Sequence, residues 1–181
     1  MLASGKQLTP NERLPAVEVC LSASPLALTP VPREQLEILL RIGVKVAPRR
    51  PGTAMPDLVL DAILGYSQSG DPRGAAAELI EWTAERRVLA LDNPSSLELS
   101  TGQVRSPAVR AAATMTLALP KDGLRVSGVA AHVGEVYLAD ISVPTLVHER
   151  LGLNYRSSLR WQPDRARRLT RGPHDVRCTR R

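Results

Sequence analysis

Two short, almost unbroken apolar runs, each carrying an aspartate at or near its end, constrain this chain most. They are Asp57-Leu58-Val59-Leu60-Asp61-Ala62-Ile63-Leu64 and Val88-Leu89-Ala90-Leu91-Asp92. Both are too short for a free-standing helix and lack the in-out alternation of a half-exposed strand, so they read as parallel strands buried on both faces. Between them Ala75–Arg86 reads as a helix that contributes Leu79, Ile80 and Trp82 to a core. Upstream, Val17-Glu18-Val19-Cys20-Leu21 reads as a strand. Arg33–Ile42 reads as a helix with Leu36, Leu39 and Leu40 on one face and Gly43 as its stop, and Val44–Ala47 as a second strand. Downstream, Ala108–Ala112 reads as a helical turn, Thr114–Leu119 and Val136–Ala139 as strands, and Pro144 to Leu151 as a last helix. Strands alternating with helices predict an α/β sandwich with a mostly parallel sheet.

Charge divides the chain. From Asn154 to Arg181 there are nine arginines against two acids, whereas the first 153 residues hold 15 basic against 16 acidic residues. The net charge of +6 therefore belongs to a tail. The reading is three parts: an irregular segment 1–16, a domain 17–153, and an Arg-rich, disordered tail 154–181 that reads as a solvated extension; nucleic acid is not an expected partner, save for weak electrostatic contact through this tail. Aromatic residues make up 3% of the chain and Phe is absent, which argues against a base-stacking platform. No stretch reaches the ~18 apolar residues of a membrane span. Cys20 and Cys178 form neither a disulfide framework nor a metal motif, so a reducing cytoplasm is expected.

Ligands of open parallel sheets sit beyond the carboxyl ends of the strands. The two apolar runs deliver Asp61 and Asp92 to that edge, a third strand delivers Lys121, and small-residue loops follow both acids. Asp92, partly desolvated at the end of an apolar strand, suits a general base. Asp61 and the Ser95 hydroxyl suit a hard cation. The alternative is that strand-terminal aspartates only cap the loops that follow. His132, His148 and His174 are isolated, so histidine metal binding is not expected, and His148 reads as a surface or interface residue. No Gly-x-Gly-x-x-Gly, phosphate loop or Gly-x-Ser-x-Gly elbow occurs.

Four ordered motifs add to this. Asp61-Ala62-Ile63-Leu64-Gly65-Tyr66, Asp92-Asn93-Pro94-Ser95 with Thr101-Gly102, Leu119-Pro120-Lys121, and Ala139-Asp140-Ile141-Ser142-Val143-Pro144 resemble those of the NAD(P)H-hydrate epimerases, over roughly Val17 to Leu151. The resemblance implies a Rossmann-like three-layer α/β/α sandwich, often dimeric. Here it is incomplete at the N-terminus, because the family's Asn- and Gly-rich loop has no counterpart before Val17. It implies an isomerase that interconverts the R and S forms of hydrated NADH and NADPH in cofactor repair, with potassium bound beside the substrate. Carried over by position, Asp61 and Ser95 match the potassium ligands. Gly65, Tyr66, Ser67, Gln68, Ser69, Gly70 and Asp71 match the substrate-binding loop. Asp92 matches the substrate-contacting catalytic acid, and Lys121 a lysine grouped with the substrate-binding residues. Ser67 and Ser96 stand where the family has glycine, and Glu98 where it has aspartate. The second reading is a catalytically inactive nucleotide-binding or remnant domain of the same fold.

Overall fold

A computed structural model of the protein describes residues 17–47, 55–66, 68–153 and the strand at 166–169. The chain forms two compact units, Met1–Pro51 and Gly52–Arg181. The segment read as irregular, 1–16, lies outside the described residues.

The first unit is a β-α-β crossover. Strand β1 (Glu18–Cys20) pairs in parallel with β2 (Lys45–Ala47), Glu18 opposite Lys45 and Cys20 opposite Ala47. Helix α1 (Pro30–Arg41) joins them and buries Leu36. It starts a turn earlier than its apolar spacing suggests, because a helix's first N–H groups need no carbonyl partner and proline fits there. It ends where Gly43 takes φ +78°. The amide of Gly43 bonds the carbonyl of Leu40 and that of Val44 the carbonyl of Leu39, which closes the last turn.

The second unit is built on a five-stranded sheet. Its order is β3 (Val59–Asp61), β4 (Val88–Leu91), β5 (Ala113–Leu117), β6 (Glu135–Ala139) and β7 (Ala166–Leu169). The first four are parallel and β7 is antiparallel to β6. Val88 and Ala90 pack with Ile80 of α2 (Gly74–Trp82), Val109 and Ala111. A second cluster joins Leu97, Leu99, Leu124, Val129 and Val133. Along β3 and β4, alternate residues leave that packed face. Leu60 (58% exposed) and Leu91 (39% exposed) lie on the other side, so these strands are fully buried on one face only.

Several elements depart from their sequence reading for identifiable reasons. Strand β3 stops at Asp61 because its carboxylate accepts from the Ile63 amide and Ser95 Oγ accepts from the Leu64 amide, so these amides do not extend the ladder. Helix α2 stops four residues early, where the Thr83 hydroxyl bonds back to the Ile80 carbonyl at 2.7 Å and Glu85 takes φ +57°. Residues 108–112 form no helical turn: the amides of Val109, Ala111 and Ala112 reach the carbonyls of Ser95, His132 and Val88. Strand β5 ends at Leu117 because Ala118 adopts φ +62°. A 3₁₀ turn (Asp122–Arg125) and helix α3 (Ala130–Val133) follow, and α4 is Thr145–Arg150. Within the segment read as a disordered tail, Ala166–Leu169 is a strand. It pairs backbone groups along the outer edge of β6, an interaction that side-chain composition does not encode. The remainder of 154–181 lies outside the described residues.

Candidate functional site

Because β3 to β6 run in parallel, their carboxyl ends share one edge, and the residues singled out from sequence lie there. Asp61 is the last residue of β3, Asp92 follows β4, and Lys121 lies four residues beyond β5. The ladder sets Asp61 opposite Ala90, two residues before Asp92.

Asp61 is fully buried. Its Oδ1 accepts from Ser95 Oγ at 2.6 Å and from the Ile63 amide at 3.2 Å, and its Oδ2 accepts from the Ser95 amide at 2.8 Å. Ser95 Oγ, itself 0% exposed as a residue, also accepts from the Leu64 amide at 2.9 Å. Burial pushes the Asp61 carboxyl above its ordinary value of 3.8, while the Ser95 hydroxyl and the two amides pull it the other way. No basic side chain among the described residues forms an ion pair with it. The pair thus offers carboxyl and hydroxyl oxygens with no basic side chain of the described residues beside them, the donor chemistry of a hard cation, so the residues present fit one.

Asp92 sits in a different setting. Its backbone takes φ +66° and its amide bonds the Met115 carbonyl at 2.8 Å, which turns the side chain toward β5. There Oδ1 accepts from Thr116 Oγ1 at 3.2 Å, from the Leu117 amide at 2.9 Å and from the Lys121 ammonium. Lys121 also donates to the Leu117 carbonyl at 2.8 Å. Among the described residues nothing donates to Oδ2, and the Asp92 side chain keeps 29% of its surface exposed. The carboxylate is therefore fixed through one oxygen and open through the other.

The loop from Gly65 to Asp71 is tied to this edge at two points. Gln68 Oε1 accepts from the Ser96 amide at 3.0 Å, and Asp71 Oδ1 from the Ser106 amide at 3.3 Å. Gly65, Ser69 and Gly70 are exposed, Gly70 turns at φ +74°, and Tyr66 is 70% exposed. Ser67 lies outside the described residues. Ser96 carries φ +76° with a buried hydroxyl that has no partner among the described residues, and the buried Asn93 Oδ1 is likewise unpaired among them. A cavity of about 210 Å³ opens where β5 and β6 end, lined by Ala118, Asp140, Ser142, Val143, Pro144, Thr145 and His148. His148, read from sequence as a surface or interface residue, is 5% exposed and faces this cavity, because the short α4 turns it inward.

Sequence reasoning missed Thr116, Asn93 and the cavity. A signal existed for the first: Thr114 and Thr116 share the buried face of a strand, and a buried hydroxyl demands a partner. Thr114 meets that demand with the Val133 carbonyl at 2.8 Å, Thr116 with Asp92. Four of the non-glycine residues with positive φ (Asp92, Ser96, Ala118 and Ser142) fall at this one edge. Strained backbone is concentrated in this way where a site must hold side chains at fixed angles.

Comparison with known proteins identifies the family and the fold. The family model described as YjeF-related protein N-terminus matches residues 2–123. An NAD(P)H-hydrate epimerase of Dehalogenimonas lykanthroporepellens is 41% identical over 134 residues, covering 72% of this chain and 53% of that protein. One of Truepera radiovictrix is 36% identical over 126 residues, covering 68% and 56%. A bifunctional NAD(P)H-hydrate repair enzyme of Salinibacter ruber is 38% identical over 118 residues, covering 64% of this chain and 21% of its own length. The chain thus spans about half the length of these two epimerases. Its fold superposes on the crystal structure of yeast ynu0 with a TM-score of 0.65 at 15% identity, over 91% of this chain and 81% of that one. That likeness establishes a Rossmann-like α/β sandwich. With the family model covering most of its length, the chain belongs to the YjeF-related protein N-terminus family.

Proposed function

We propose that this protein epimerises the R and S forms of hydrated NADH and NADPH, so that an S-specific dehydratase can restore the cofactor. The observation that carries the reading is the Asp92 carboxylate, anchored through Oδ1 and open through Oδ2 at the carboxyl edge of the sheet. Exchange of configuration at one carbon requires a proton delivered and taken back as water leaves and returns, which one positioned carboxyl group can do. Lys121 holds the carboxyl group by its contact with Oδ1. The Gly65–Asp71 loop, Asp92 and Lys121 hold the substrate, and the cavity beginning at Ala118 gives room for part of it next to Asp92. The reading carries with it a homodimer and a cytoplasmic location; no helix among the described residues is long and apolar enough to cross a membrane.

Potassium would be held by Asp61 and Ser95, where it would offset the charge of a pyrophosphate-bearing ligand. Potassium chloride, relative to tetramethylammonium chloride, is expected to raise the melting temperature by about 3–6 °C at roughly tenfold excess over its Kd. Asp61→Asn should abolish that rise; an equal rise in the variant removes the cation from this site. The pH dependence has a defined sign. A carboxyl whose folded value is raised favours the folded state most when protonated, below its ordinary 3.8, and loses that contribution as pH climbs through the raised value. In potassium-free buffer the wild type should therefore lose stability relative to Asp61→Asn over that climb, and parallel curves would contradict it.

The activity is tested with mixed hydrate epimers and a pure S-specific dehydratase. With this protein added, consumption should run to completion. A reaction that stalls at the S fraction, as without it, would leave only a nucleotide-binding domain.

A further inference from the structure

We propose that Thr116 is a positioning residue for the reaction, fixing Asp92 so that Oδ2 is the one oxygen that exchanges protons with substrate; this rests on the epimerase reading above. A free carboxylate turns about its last bond and presents either oxygen, since that torsion is soft and two-fold. Here the turn is blocked by an asymmetry of donors. The Thr116 hydroxyl, the Leu117 amide and the Lys121 ammonium all converge on Oδ1, whose lone pairs are then fully engaged. Oδ2 accepts from nothing among the described residues.

All three donors come from β5 and the turn after it. Lys121 is brought back by the left-handed Ala118 and bonds the Leu117 carbonyl, so β5 works as a single clamp. Within it Thr116 is the member whose side chain has no other task. It is fully buried on a face otherwise given to packing, where valine would fill the same space without a buried hydroxyl. Thr114, two residues earlier, satisfies its hydroxyl on the Val133 backbone, whereas Thr116 places its own on Asp92. Losing one of three donors loosens the carboxylate without removing it, and a misplaced group costs rate more than binding.

The test compares wild type, Thr116→Val and Thr116→Ser in steady-state epimerisation, alongside thermal unfolding. Thr116→Val should lower kcat by about tenfold with KM within about twofold, and Thr116→Ser should recover kcat to within about threefold of wild type. Because serine keeps the hydroxyl and loses the methyl, a packing role would order the variants the other way. An active wild type with Thr116→Val unimpaired, with KM rather than kcat altered, or with Thr116→Ser as slow as valine overturns the proposal alone. If Thr116→Val does not fold, the serine variant decides by the same kcat criterion. A wild type without turnover overturns the epimerase reading and this proposal with it.

Discussion

Replacing Asp92 by asparagine is expected to slow epimer interconversion by about 10²–10⁴-fold, the range that a positioned acid-base group contributes. The substitution isolates chemistry from structure unusually well. An amide oxygen in the place of Oδ1 can still accept from Thr116, the Leu117 amide and Lys121. The amide nitrogen then falls at Oδ2, where no donor of the described residues stands in its way. Lys121 loses its ion pair but keeps the Leu117 carbonyl. The unfolding midpoint should accordingly move by only a few degrees, the equivalent of about 1 kcal/mol in a chain of this size. Turnover unchanged in Asp92→Asn would take the reaction away from this carboxylate, whatever the family suggests.

The largest effect on stability is expected at Gly134, far from the acids along β6. This glycine, between α3 and β6, has φ +57° and ψ −137°, a region that residues with a side chain rarely enter. A methyl group added there would stand 2.2 Å from the Ala112 carbonyl oxygen and 2.5 Å from that of Ala111. Both are backbone atoms, held by hydrogen bonds from Glu135 to Ala112 and from Ala111 to His132. No rotamer change can relieve such a contact. Strain and overpacking together should cost about 3–5 kcal/mol, a fall in melting temperature on the order of 10 °C. Gly128→Ala is the control, because Gly128 also has positive φ (+96°) but nothing within 4 Å of the added methyl. It should lose only about 1 kcal/mol. Equal losses in the two variants would mean that the close approach at Ala112 does not exist.

How far the sequence anticipates this molecule depends on which interactions shape each element. Where side-chain pattern decides, the reading is close. The run Val88–Leu91 is a strand, Asp61 and Asp92 end up on one edge, and Leu36 of α1 is buried, although Leu40 of the same expected face is 56% exposed. Where one polar group overrides the pattern, the reading overshoots. Ile63 and Leu64 are as apolar as Val59 and Leu60, yet the Asp61 carboxylate and Ser95 hydroxyl capture their amides and end the strand. Thr116 is hidden for the opposite reason: it is β-branched, fits a strand, and so gives no sign in a propensity argument that its hydroxyl serves Asp92. Ser96 illustrates a third case. A serine where the family has glycine implies strain, and the structure does place it at φ +76°, but that its buried hydroxyl finds no partner among the described residues is a three-dimensional fact. Strand β7 rests on backbone pairing with β6, to which an arginine-rich composition is blind.

In the proposed reaction one carboxyl group, clamped by β5 through a single oxygen, converts one hydrate epimer into the other. Its most direct measurement starts from the pure R form of hydrated NADH, with no dehydratase present, and follows the S form by chiral chromatography. Wild-type protein should bring R and S to the equilibrium mixture far faster than the uncatalysed reaction, and Asp92→Asn should reach the same mixture at close to the uncatalysed rate. Identical time courses with and without the wild-type protein would contradict the account.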